Sequence, residues 1–174
     1  DRQDDMVVTG KRHEFANRYE VGLDESGRIL GVDMQLAGLC GYAPDLSDAI
    51  VDRAMFHCDN AYYYPAAHVA GHRCKTHTVS NTAYRGFGGP QGLMTAEYMM
   101  DHIAYTLGQD PLQVRLANLY QDGQSTHYGQ TIEHFDLAII MTKLADDCDY
   151  DKRRQQVIEA NQKAAAEGSD KRLG

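Results

Sequence analysis

The chain has 174 residues and a formal net charge of −8, with 43% hydrophobic and 24% charged residues, the proportions of a globular domain long enough to bury one core. The acidic balance excludes a nucleic-acid partner, because nothing offsets phosphate repulsion, and no apolar run approaches the roughly 18 residues of a membrane span. Four cysteines occur without a Cys-x-x-Cys pair, which excludes a zinc or iron–sulfur site built from this chain alone and reads as reduced thiols of a cytoplasmic protein.

The N-terminus, DRQDDMVVTG, is acidic and lacks an initiator Met, the mark of a fragment or processed chain rather than of a signal or transit peptide. Its clustered carboxylates read as a solvated strand end. Residues 7–23 and 28–42 read as strands. Their alternating runs flank DESG, a hairpin signal with Gly27 at the turn. Val21, Leu23 and Ile29 share one side, and Glu20, Asp24 and Arg28 stay wet. APDLSDAIVDRAMFHCDN reads as a helix starting near Pro44 and Asp45, with Leu46, Ile50, Ala54 and Phe56 at helical spacing and Arg53 among apolar neighbours. HVAGHRCKTHTVS alternates as a third strand. Residues 81–92, NTAYRGFGGPQG, then place four glycines within seven residues at the mouth of a helix.

From Pro90 the pattern is helical: Leu93, Ala96, Met100, Ile103, Ala104 and Leu107 form one apolar stripe, and Gly108 is a natural stop. Asp110 as N-cap and Pro111 at the first position open another helix. Residues 121–134 are polar and turn-rich. FDLAIIMTKLADDC reads as a further helix, and the tail YDKRRQQVIEANQKAAAEGSDKRLG is charged and helix-prone. Strands precede helices, so the expected class is α+β: antiparallel strands followed by helices, divided into a strand-rich part (1–80), a loop (81–92) and a helical part (93–174).

The glycine loop admits three readings from its residues. It is a plain strand-to-helix turn, an anion site at a helix N-terminus, or a backbone wall for a cofactor or substrate with Arg85 and Phe87 as its side-chain tools. It fits neither G-x-G-x-x-G with a following acidic residue nor G-x-x-x-x-G-K-[ST]. Arg53 is either paired with Asp52 or Asp48 at the surface or is a clamp for an anion or carbonyl, as a permanently charged fork of donors allows. None of the eight histidines lies in a helical His-x-x-x-His. His68 and His72 have that spacing on a strand, too far apart to share a metal, so no metal site is expected. Glu14, Glu97 and Glu133 read as solvated strand or helix residues rather than catalytic bases.

NTAYRGFGGPQG resembles the cofactor loop of the xanthine dehydrogenase/aldehyde oxidase family of molybdenum hydroxylases. The resemblance extends over DRQDDMVVTGKRHEFANRYEVG, LSDAIVDRAMFHCDNAYYYP, QDPLQVRLANLYQDGQSTHYGQ and KRRQQVIEANQKAAAEGSDKRLG, nearly the whole chain. It implies part of a molybdopterin-binding domain and, for the parent protein, oxidative hydroxylation of a purine, with electrons leaving through 2Fe-2S clusters and FAD to NAD. Arg53 falls in the place of the family's substrate-orienting arginine, which donates to a purine oxygen as charge builds in the transition state. Arg85, with Gly86, falls at the molybdenum–molybdopterin cofactor without ligating the metal, and Phe87 falls against the purine face. The glycines then read as room for the pterin. An arginine at the Arg53 place favours purines over aldehydes, and RGFGGPQ differs from the loop of carbon monoxide dehydrogenases. The same resemblance puts the catalytic glutamates outside these 174 residues. The expectation is a fragment, inactive and cofactor-free alone, that works with the rest of a molybdenum subunit and an iron–sulfur/FAD partner in an oligomeric parent. The alternative is a stand-alone, non-catalytic binding or structural module that keeps the fold.

Overall fold

The computed structural model describes residues 1–173. In chain order they form α1 (Arg2–Val8), β1 (Phe15–Leu23), β2 (Ile29–Gly41), α2 (Ser47–Phe56), β3 (Ala67–Lys75), α3 (Gly89–Leu107), α4 (Pro111–Asn118), α5 (Leu137–Asp147) and α6 (Tyr150–Ala166). The class is α+β, as expected. The residues divide into two compact units, Asp1–His134 and the segment from Phe135 onward.

In the first unit the sheet has the order β1-β2-β3. β1 and β2 are the expected hairpin, antiparallel in register from Phe15 opposite Gly38 to Val21 opposite Val32. Its turn is closed by the Asp24 carboxylate, which accepts from Ser26 N–H (2.8 Å) and Arg28 N–H (3.0 Å). β3 departs from the expected antiparallel arrangement, since it pairs with β2 in parallel. α2 lies between them in sequence, and a connection of that length through a helix is the crossover that parallel neighbours need.

The N-terminal expectation also fails. Residues 2–8 form a helix rather than a strand, because Asp1 and Asp4 close a reciprocal capping box that satisfies the first free N–H groups. The strand begins only at Phe15. Val7 and Val8, which read as strand residues, stand exposed on that helix.

β2 carries the core. Val32, Met34, Leu36 and Cys40 alternate into the interior, as a half-buried strand requires. Ile50, Val51 and Ala54 of α2 and Ala96, Met99, Met100, Ile103 and Ala104 of α3 are buried as well, and α2 packs on both β2 and α3. Each such large side chain contributes about 1.5–3 kcal/mol on full burial. Leu46 and Phe56, expected on the inner face of α2, are exposed, as is Leu107 at the end of α3. Gly108 ends α3 in the left-handed conformation, and Asp110 caps α4 by accepting from Leu112 N–H at 2.8 Å, both as expected. Buried Asn118 at the end of α4 ties that helix to the hairpin, accepting from Ile29 N–H (2.8 Å) and donating to Gly27 O (2.9 Å). The second unit is the helix pair α5 and α6, neither of which has a buried residue.

Candidate functional site

The loop 81–92 is a tight backbone device before it is anything else. Gly86, Phe87 and Gly88 have consecutive positive φ values of 96°, 49° and 92°. Phe87 is the costly member, since a non-glycine residue in that region carries of order 1–3 kcal/mol of strain. Two turn bonds hold the run, Phe87 N–H to Tyr84 O (2.8 Å) and Gly89 N–H to Gly86 O (2.9 Å).

The glycines answer to neighbours inside the chain. A Cβ on Gly88 would lie 2.0 Å from Ile50 O, and one on Gly92 would lie 2.3 Å from Ala54 O. Both oxygens belong to the backbone of α2, so these glycines let α2 and the start of α3 touch main chain to main chain. A Cβ on Gly86 would strike the Pro90 ring at 2.5 Å. At these three positions the missing side chain already makes room for neighbours inside the chain.

That packing delivers Arg53 to the loop. Arg53 lies in the last turn of α2, and its Nε is 3.9 Å from where a Gly89 Cβ would sit, with His57 Cδ2 at 3.5 Å from the same point. The side chain is exposed and, among the described residues, makes no hydrogen bond or ion pair. Asp48 and Asp52, its candidate surface partners, are taken by Arg73 of β3 instead, with Nε 3.2 Å from Asp48 Oδ1 and Nη2 on Asp52 Oδ1. Arg53 is left as a free fork of donors beside the N-terminus of α3. Arg85 is also exposed, and its guanidinium likewise has no partner among the described residues. Phe87 is half-buried.

A second group at the loop escaped sequence reasoning. Residues 10–13 run alongside it as a strap. A Cβ on Gly10 would lie 2.3 Å from Ser80 O. Lys11 O accepts from Thr82 N–H at 3.1 Å, and His13 O accepts from Gln91 Nε2 at 3.0 Å. Arg12 donates from Nη2 to Arg85 O at 2.6 Å and stacks its guanidinium 4.2 Å from the centre of the Tyr84 ring. His13, 2% exposed, shares a hydrogen bond of 2.7 Å with Ser47 Oγ at the start of α2. Burial lowers its pKa, against the pull of Asp45. Arg12 Nη1 and Gln91 Oε1 are buried polar atoms without a hydrogen-bond partner among the described residues. The only sequence signal for this strap was Gly-Lys-Arg-His at the end of an acidic segment, which carries no pattern of its own.

The remaining candidates have structural employment. The Glu97 carboxylate is far from simply solvated: it accepts from Tyr62 Oη (2.7 Å), Asn60 Nδ2 (2.7 Å) and Arg115 Nε (2.9 Å), and it pins α3 to α4. Glu14 and Glu133 are exposed. His68 and His72 face Asp33 and Gln35 of β2 at 3.2 and 2.7 Å. Among the described residues no three His, Cys, Asp or Glu side chains gather as a metal site. The cysteines are free, Cys40 and Cys58 buried and Cys74 and Cys148 half-buried. A separate cleft of about 400 Å³, lined by Asp52, Met55, Phe56, Val69, His127 and Tyr128, contains none of the loop residues. Among the described residues no helix is long and apolar enough to cross a membrane.

Residues 1–119 match the molybdopterin cofactor-binding domain family. A xanthine dehydrogenase/oxidase from Mus musculus is 41% identical over 161 residues, 92% of this chain and 12% of that protein. A xanthine dehydrogenase from Arabidopsis thaliana is 40% identical over the same shares. Among solved structures, the aldehyde oxidoreductase from Desulfovibrio desulfuricans superposes with a TM-score of 0.78 at 27% identity, over 88% of this chain and 17% of that one. The CO dehydrogenase from Oligotropha carboxidovorans shares the fold, with a TM-score of 0.82 at 21% identity over 97% of this chain and 22% of that one. The chain thus spans 12% of the length of these curated relatives.

Proposed function

The chain belongs to the molybdopterin cofactor-binding domain family, and from that membership we propose that it forms one wall of the molybdenum site in a cytoplasmic purine hydroxylase of the xanthine dehydrogenase type. The observation that carries the reading is the main-chain contact between α2 and the glycine loop, which brings the unpaired Arg53 to the segment that also holds Arg85 and Phe87.

The residues at the loop fit such a cofactor. Molybdopterin is polar and anionic, and the loop offers the exposed Arg85 guanidinium, which has no partner among the described residues. Arg85 and Gly86 would hold the cofactor, and the bound molybdenum supplies the oxidative hydroxylation chemistry. Phe87 offers a flat apolar face to a heteroaromatic ring, worth about 1 kcal/mol beyond area burial. Arg53 donates to a purine oxygen, where negative charge grows as the ring is attacked. A donor aimed at that oxygen is worth about 100- to 1000-fold in turnover. In the full-length protein, 2Fe-2S clusters and FAD held by a partner part would supply the route for electrons to NAD, and that part, with the rest of the molybdenum subunit, would complete an oligomeric assembly.

The test is molybdenum and pterin analysis of the purified full-length protein, with a substrate panel of hypoxanthine, xanthine and an aldehyde. The expected result is molybdenum and pterin in equal amounts and turnover of the purines ahead of the aldehyde. Protein without either component, and inactive on all three substrates, overturns the reading in favour of a non-catalytic module.

A further inference from the structure

We propose that Arg12 is the positioning residue of the 81–92 loop, holding the Arg85–Gly86 peptide so that the Gly86 N–H and the Arg85 side chain are presented to the cofactor. The inference rests on the function proposed above for the loop's purpose. Its structural half stands on the contacts of Arg12 alone.

Three residues in a row with positive φ do not keep such a path unaided. Strained backbone persists only where its surroundings over-determine it. Gly88 is fixed from one side by the α2 backbone. On the other side of the run, Arg12 is the side chain that grips it. One arm of its guanidinium takes the Arg85 carbonyl at 2.6 Å, and the plane of the same group lies 4.2 Å from the Tyr84 ring centre. Nη1 reaches to 3.7 Å from where a Gly86 Cβ would sit. Arg12 thus touches Tyr84 and Arg85 and lies beside Gly86. A lysine could replace the charge but not the planar stack with its forked donors.

The grip has a directional consequence. A peptide unit is planar and trans, so its C=O and N–H point to opposite sides. Drawing the Arg85 carbonyl toward Arg12 turns the Gly86 N–H away from it. That N–H makes no hydrogen bond among the described residues, and Gly86 is exposed. The peptide is therefore a donor held in place, facing away from the strap. The rest of the strap keeps Arg12 itself in register through the bonds of Lys11 with Thr82 and of His13 with Gln91.

The experiment compares Arg12→Ala and Arg12→Lys with the unaltered full-length protein. Amide hydrogen exchange at Phe87 and Gly89 is read against Met99 and Met100 in α3 as the internal fold control, beside tryptic cleavage of the Arg85–Gly86 bond, molybdenum content and purine kcat/KM. For Arg12→Ala, exchange at Phe87 and Gly89 rises roughly 10- to 100-fold, the loss of one hydrogen bond from a charged donor. The α3 amides stay as they were, Arg85–Gly86 is cut faster, and molybdenum content falls together with kcat/KM. Arg12→Lys recovers part of each. If the alanine variant also accelerates exchange in α3, the lysine variant is read by the same criteria. Unchanged loop exchange in the folded variant overturns the role of Arg12. Faster loop exchange with full molybdenum content and full turnover keeps the grip of Arg12 and overturns the cofactor reading of the loop.

Discussion

His127 and Asp59 form a largely buried charge pair whose surroundings favour the protonated ring. His127 Nε2 lies 2.8 Å from Met55 O and Nδ1 lies 3.4 Å from Asp59 Oδ2. The Met55 carbonyl can only accept, so Nε2 carries a proton, and the Asp59 carboxylate beside Nδ1 favours a second one. Burial opposes that charge, but the Asp59 carboxylate and the Cys58 thiol outweigh it and lift the His127 pKa to about 10. Asp59, 4% exposed, also accepts from Tyr120 Oη at 2.8 Å. A pKa raised above the unfolded value of 6.5 stabilises the fold fully below pH 6.5, and that stabilisation drains away as pH rises toward 10. Thermal unfolding of the full-length protein should therefore show stability falling across that window. His127→Gln should flatten the dependence while lowering the starting value. An unchanged slope in the variant would assign the pH dependence to other groups. None of this was legible in the sequence, where 121–134 read as polar turns, because nothing local links a histidine to an aspartate from the end of another element.

At the scale of elements, the contact that matters is α2 against α3. A Cβ on Gly92 would be 2.3 Å from Ala54 O and 3.1 Å from His57 C, and backbone cannot swing aside as a flexible side chain would. Gly92→Ala should push the helices apart at a cost of about 1–3 kcal/mol, a fall in Tm of about 2–4 °C per kcal/mol for a domain of this size. Met94→Ala, at an exposed position of the same helix, should leave Tm nearly unchanged and serves as the control. Equal Tm values for the two variants would mean that the close approach is not needed. The sequence showed the glycines plainly but not their partner, since a glycine facing a ligand and one facing a helix look alike. α3 and α4 were readable because stripe, stop and cap all agreed. The N-terminal helix was missed because its capping box is made of two aspartates and its end carries two valines, a strand signal when taken alone. The parallel pairing of β3 was missed although its signal, a helix between two strands, was on the page.

For the whole molecule, the first unit carries every candidate residue, and the second is a helix pair whose Ile139, Ile140 and Leu144 stand exposed. The chain spans 12% of its curated relatives, and the proposed wall consists of a strained loop, the strap that runs beside it and an arginine brought alongside by helix packing. The resemblance in the loop and in the arginine segment led to the family directly. What the sequence could not supply was the reason those two segments meet, which is the pair of glycines lying on the α2 backbone. The central claim is that Arg53 serves a purine at this wall. It is tested most directly by kcat/KM for a purine and for an aldehyde in the full-length Arg53→Met protein. The account predicts a fall of about 100- to 1000-fold for the purine and a far smaller change for the aldehyde, whereas equal losses on both substrates would contradict it.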